Sequence, residues 1–492
     1  MSAPAPSRRP RPVARLPVVV AVVAALLVGG LVDRLAAQPA APAGVPAGPA
    51  AAAPADAESS SWYCAGGTSA AGGAPATVFL ANAGPAPVSG TFSVVDDAGA
   101  TTSVVVTVPA HGELAEQPAG LSSGNYLAAR VDLDGGGVAV SESVGASGGW
   151  AEAPCASATG TSWYFTSAST RHALDYLSLY NPAMTAAVVD LTFVTASGAT
   201  SPQPYQGLVV APGSLVVLGV NNYVQDVSGV ATLVQAQSGR IVAAQLVQSF
   251  AGGVSGVSLQ SGAASPDPSW TFPRSADVAG GRTEFDVLNP TTAPERVSVA
   301  FRLPSGPVAP LTASVPALST WVVPASTLPR LPPGTDYATT VTSTGGPGVV
   351  VGRVVVGPPT GVVPQWGAVT GLVGVAGAAS KAWLLTAPVA GGGEATSGVA
   401  PLGLGIENPI GAPVVVEVEA LTGGPRGVAP VPGGSFTLAP HGFTVVASSL
   451  PVADPLLVTG TGPLAVMEDL VPAALAGVVS LPALALTADP GT

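Results

Sequence analysis

Two stretches of this 492-residue chain match Gly-x-Ser-x-Gly: Gly120-Leu121-Ser122-Ser123-Gly124 and Gly145-Ala146-Ser147-Gly148-Gly149. That spacing can set a serine nucleophile on a sharp strand-to-helix turn. Neither match leads into a helical pattern, and 62 glycines make a chance match expected, so both read as turns. A nucleophile also needs a base, and there are three histidines, His111, His172 and His441. His111 and His441 sit beside glycine in matching turns and read as loop tips. Asp132-Leu133-Asp134-Gly135 has the opening of a calcium loop, but the third acid is missing and Glu142 falls one place short of the closing glutamate. No zinc spacing occurs, and no phosphate-cradling glycine loop with a lysine. No catalysis, cofactor or metal is expected.

The cysteines, tryptophans and inward polar residues say more. Cys64 and Cys155 are the two cysteines, and in an exported chain an even pair reads as a disulfide. Four strongly apolar runs, Val138–Val144, Ile241–Val247, Val349–Val355 and Leu464–Leu470, each carry one polar residue in fifth place: Glu142, Gln245, Arg353 and Glu468. In a strand the fifth residue faces the same way as the first and third, so each turns inward. Burying an unpaired charge costs several kcal/mol, roughly. Each is therefore expected near one rim of its unit or beyond a bulge, bonded to backbone or opposite charge. The alternative is a shared ligand-binding end. Trp62, Trp163, Trp270 and Trp383 recur in one register and read as core, which leaves Trp150 and Trp366, with Trp321, as platforms on which a sugar could stack.

The elements that position these residues repeat four times. Segments open on Ser61-Trp62-Tyr63-Cys64, Ser162-Trp163-Tyr164-Phe165, Ser269-Trp270-Thr271-Phe272 and Ala382-Trp383-Leu384-Leu385. Each then reaches an asparagine: Asn82, Asn181, Asn289 and Asn408, the last three followed by proline. Before it stand Val78 and Leu80, Leu177 and Leu179, Phe285 and Val287, Leu404 and Ile406. After it, at fixed offsets, come Phe92 and Val94, Leu191 and Phe193, Val299 and Phe301, Val418 and Ala420. That is a period of two on both sides of a turn, the signature of half-buried strands. Many short strands without a helical stripe predict an all-β chain of four tandem immunoglobulin-like antiparallel β-sandwich repeats, at 61–157, 158–265, 266–380 and 381–492. Units of that size can bury a core of their own.

The N-terminus says where such a body resides. Arg8, Arg9, Arg11 and Arg15 form a basic tail over 1–15, and an apolar run follows within 16–35 with Asp33 after it. The charge order fits a transmembrane helix with its N-terminus in the cytoplasm, or a cleaved signal segment that would leave the body secreted. Residues 36–60 are almost all Ala and Pro, a linker expected to be extended, solvated and unable to pack. The whole chain carries −12, and five of its 15 arginines lie in the first 34 residues with Asp33 as the one acid there, so the body is more acidic still. Such a surface excludes nucleic acid as a partner.

The Trp-Tyr-Phe opening, Leu177–Tyr180 with Asn181-Pro182, and the strand after it resemble an actinobacterial secreted family catalogued only as a domain of unknown function. The resemblance implies a cell-envelope protein. The expected function is a membrane-anchored extracytoplasmic scaffold or interaction protein whose partner is an envelope protein or a polysaccharide. A cell-wall glycan-binding module is the alternative, and a secreted hydrolase the third.

Overall fold

The computed structural model describes residues 50–146, 149–250, 256–276, 282–356, 359–360, 363–364, 375–376, 380–387, 399–423, 427–446, 450, 453–472 and 479–486. The anchor expected within 16–35 lies outside them. No helix among the described residues is long and apolar enough to cross a membrane. They form strands, turns and short 3-10 turns, so the described body is all-β.

The period-two residues lie where their spacing puts them. Phe92, Val94, Leu191, Phe193, Val299, Phe301, Val418 and Ala420 are all buried, while Thr91, Asp190, Ser298 and Glu417 beside them are not. The first segment is a pair of four-stranded sheets. One has the order Ser60–Thr68, Tyr126–Leu133, Val88–Asp96, Thr101–Val108; the other has Gly112–Glu116, Ala76–Asn82, Val138–Ala146, Gly149–Pro154. The second segment repeats this order, with Ser162–Ser169 opening one sheet, and Ala173–Asn181 beside Val242–Ser249 in the other. The third does so with Ser269–Ala276, Arg282–Asn289 and Val350–Val356. In the fourth, one long strand, Leu456–Pro472, serves both sheets: its first half pairs with Ser380–Leu385 and its second with Val399–Glu407.

The recurring asparagine is a buried peg. Each Nδ2 donates at 2.8 Å to the carbonyl four residues on, that of Ala86, Thr185, Ala293 or Ala412. It also donates to a strand end much later, at Pro109, Val210, Val315 or Ala439. Its Oδ1 accepts the N–H two residues on, from Gly84, Ala183, Thr291 or Ile410. One side chain thus satisfies three backbone groups that would each cost about 1–3 kcal/mol if stranded. The indoles of Trp163, Trp270 and Trp383 likewise donate to Ile241, Val349 and Leu464 at the start of the apolar strands.

Two features differ from the expectation of separate units on a solvated linker. First, the cores run across segment boundaries. Ala65, Val95 and Ala128 of the first segment pack with Phe165, Leu177 and Val247 of the second. Tyr164 and Leu233 of the second pack with Phe272 and Phe285 of the third, and Leu384, Leu421 and Leu484 of the fourth join the first segment's core. Second, the end of the Ala/Pro stretch packs. Ala51 and Ala52 pair in parallel with Ala485 and Leu486, Gly137 N–H donates to the Ala53 carbonyl, and Ala52 is wholly buried. Alanine is small enough to enter that crevice. A Cβ at Gly136 would lie 1.7 Å from the Pro54 carbonyl, so the approach requires glycine there. Ala52→Asp, which buries an unpaired carboxylate, should therefore destabilise the body by about 3 kcal/mol in denaturant titrations. Wild-type stability would show that this stretch does not dock.

Candidate functional site

The residues that suggested catalysis are engaged in structure. Ser122 donates to Asp96 Oδ2 at 2.7 Å, and this bond, aided by the N–H groups of Ala98 and Ala100, holds the Asp96 carboxyl below its usual range. Ser147 and Gly148 lie outside the described residues. His111 and His441 adopt left-handed φ of 45° and 52°, in turns where Gly213 and Leu318 hold the same conformation. His172, at 54°, is in another turn. Asp132 accepts from Arg130 and from Ser61, both at 2.7 Å. Cys64 and Cys155 form the disulfide.

Trp150 corrects the platform reading. It is buried with Leu246, Val257 and Leu259 of the second segment, so its ring faces protein rather than a sugar. Trp366 lies outside the described residues. The inward polar residues are also buried, at 4% exposure for Glu142 and Glu468 and 0% for Gln245 and Arg353, so none presents a ligand-binding end to solvent.

Their partners explain the fifth-place polarity. Each of the first three opening strands has a bulge, between Cys64 and Gly67, Phe165 and Ala168, and Phe272 and Ser275. A bulge interrupts the ladder and leaves backbone groups to be met by a side chain. Glu142 Oε2 accepts the Gly66 N–H at 2.9 Å. Arg353 Nη1 donates to the Arg274 carbonyl and to Ser275 Oγ at 3.2 Å. In the second segment Gln260, paired with Gln245, donates to the Ser167 carbonyl, while Gln245 donates to Asp175 Oδ1, both at 2.9 Å.

The same bulges join the segments. A Cβ on Gly66 would lie 2.1 Å from Leu259 Cδ1 in the second segment. One on Gly352 of the third would lie 2.0 Å from Thr166 Oγ1 of the second, and one on Gly405 of the fourth 2.4 Å from Arg274 Cβ of the third. Thr386 and Ala387 of the fourth, at the corresponding place, return to the first: Thr386 Oγ1 donates to Glu152 Oε1 at 2.8 Å and Ala387 N–H to Glu113 Oε2 at 2.7 Å. Each segment docks its opening strand on the next, and the fourth docks on the first. A head-to-tail contact whose rotation closes makes a ring.

Charge is concentrated in these junctions. Asp469 of the fourth segment takes Arg274 Nη1 at 2.5 Å and Arg353 Nη2 at 2.6 Å, both from the third, and Arg274 Nη2 also reaches Asp336 at 2.9 Å. Among the described residues the other junction acids form no such ion pair. Burial pushes Glu142, Glu152 and Asp286 up to about 7, and Asp175, Glu407 and Glu468 to about 8. Glu113, Glu152, Arg274 and Asp469 were missed in the sequence. Arg274 had a signal, standing two residues after the apolar Trp270–Phe272 opening.

A family model described as a family of unknown function (DUF5719) matches residues 135–396. No curated protein matches the chain. Among solved structures, the crystal structure of a tetra-tandem repeat in the extending region of a large adhesion protein is similar over 89% of this chain and 100% of its own, at 12% identity. Its TM-score is 0.12, too low to carry an argument.

Proposed function

We propose that this chain, which belongs to the DUF5719 family of unknown function, is a non-catalytic scaffold of the cell envelope. In this reading residues 16–35 anchor it with the N-terminus in the cytoplasm and the Ala/Pro stretch spaces it from the membrane. Four immunoglobulin-like repeats close into the rigid body it presents outside. One observation carries the reading: the inward polar side chains Glu142 and Arg353, with Glu152 and Asp469, are buried in bulges and junctions, where they hold segments together. The disulfide, a bond of oxidising compartments, supports export.

Intact producing cells should yield full-length chain in the membrane fraction, with the body open to external protease and Cys64 joined to Cys155 in non-reducing peptide maps. A body shielded from external protease, with two alkylatable thiols, would overturn export. Photo-crosslinkers at the exposed Val105, Met184 and Phe250 should join the body to envelope protein. Retention by purified wall polysaccharide without such crosslinks would replace the scaffold with a glycan-binding module.

A further inference from the structure

The junction that closes the ring, from the fourth segment to the first, differs from the others in its charges. The first segment contributes Glu152 and Glu113, and the fourth contributes Glu468. Glu152 Oε1 takes the hydroxyls of Ser141 and Thr386, while its Oε2 is buried and meets no donor among the described residues. Glu113 Oε2 takes the Ala387 N–H, and its Oε1 meets no donor among the described residues. The charge of Glu152 bears on both Glu113 and Glu468, and Asp454 bears on Glu113 as well. Asp469 bears on Glu468 too, while Arg274 and Arg353 are held by Asp469, and Arg274 also by Asp336. Elsewhere a junction acid meets donors or a cation, even where one of its oxygens stays bare, as at Asp175 and Glu407. Glu142 has the Gly66 N–H, Asp175 has Gln245, Asp286 has Ser167 and the nearby Arg282, Glu407 has the field of Arg302, and Asp469 has two guanidiniums. Among the described residues, carboxyls from both sides oppose one another at the closing junction.

We propose that this junction is a proton-operated latch: protonated Glu152, Glu113 and Glu468 hold the fourth segment on the first, and their ionisation releases it. Burial raises Glu152 to about 7, and burial reinforced by the charge of Glu152 raises Glu468 to about 8 and Glu113 well above 4.5. Released into water, the three would titrate near 4.5. Between that value and about 8 the closed form holds more protons than the open one. Closure therefore weakens as pH rises through this window and levels off above it. The latch belongs to the folded body and does not depend on where the protein resides.

Hydrogen exchange of the full chain from pH 5 to pH 9, corrected for the intrinsic rate, tests it. Peptides over 138–154 and 380–387 should lose protection by about tenfold or more between pH 6 and pH 9, the equivalent of one displaced pKa unit. Glu113→Gln, Glu152→Gln and Glu468→Gln together should remove that response. Asp286→Asn, at the second-to-third junction, should leave it in place. Equal protection at both pH values would overturn the latch, as would a response surviving in the triple variant or an equal loss across the whole body. Should the triple variant fail to fold, the wild-type series decides by itself.

Discussion

Replacing Cys64 and Cys155 together by serine should cost about 4–5 kcal/mol, because the bond closes a loop with a sequence separation of 91. How the melting temperature responds then reports on the ring. At about 2.1 cal/mol/K of unfolding entropy per residue, a body that melts as one unit loses only about 5 °C. A first segment melting alone would lose about 20 °C and appear as a separate, earlier transition. The shared cores favour the single transition, since Ala65 packs among second-segment residues and Leu384 and Leu484 among those of the first. Cys64 also begins the bulge that carries Gly66 against Leu259, so the loss should extend to the first-to-second junction. Differential scanning calorimetry without reductant decides. An unchanged melting temperature would show that the loop is already constrained without the bond, and a detached early transition would refute the ring as a cooperative unit.

What the sequence made legible was local. Alternation around Asn82, Asn181, Asn289 and Asn408 reports a strand's two faces, and the peg's three hydrogen bonds explain why its offset cannot drift. Glu142, Gln245, Arg353 and Glu468 stood out because polar residues rarely face inward on apolar strands. Their partners were not legible, since a bulge shows no period of its own and a junction joins residues as distant as Thr386 and Glu152. Trp150 was misjudged for the same reason: its covering residues, Val257 and Leu259, belong to the next segment. The Ala/Pro composition suggested solvation at residues 51–53, where small side chains instead fit a crevice between the first and last strands. Periodicity finds the faces of an element, whereas closure depends on shape complementarity between faces far apart in sequence.

Asp469→Asn should destabilise the body by about 3–5 kcal/mol, the usual cost of removing one member of a buried ion pair. The substitution keeps volume and removes one charge, so the loss reads electrostatics rather than packing. The two arginines should not suffer equally. Arg274 retains Asp336, whose side chain is 35% exposed and so lies within reach of water. Arg353, at 0% exposure, keeps the Arg274 carbonyl and the Ser275 hydroxyl but is shut off from water, so most of the cost falls on it. Adding Arg353→Met to Asp469→Asn should therefore recover part of the stability, because an apolar side chain of similar length needs no counter-charge. Arg274→Met in the same background should recover less. Urea titrations of these four proteins and of the single Arg353→Met and Arg274→Met variants give the coupling directly. A loss below about 1 kcal/mol for Asp469→Asn would mean that water already screens the pair, as it does for exposed bridges. The third-to-fourth junction would then be held by the approach of Gly405 to Arg274 and by Met467 in the third segment's core, not by charge.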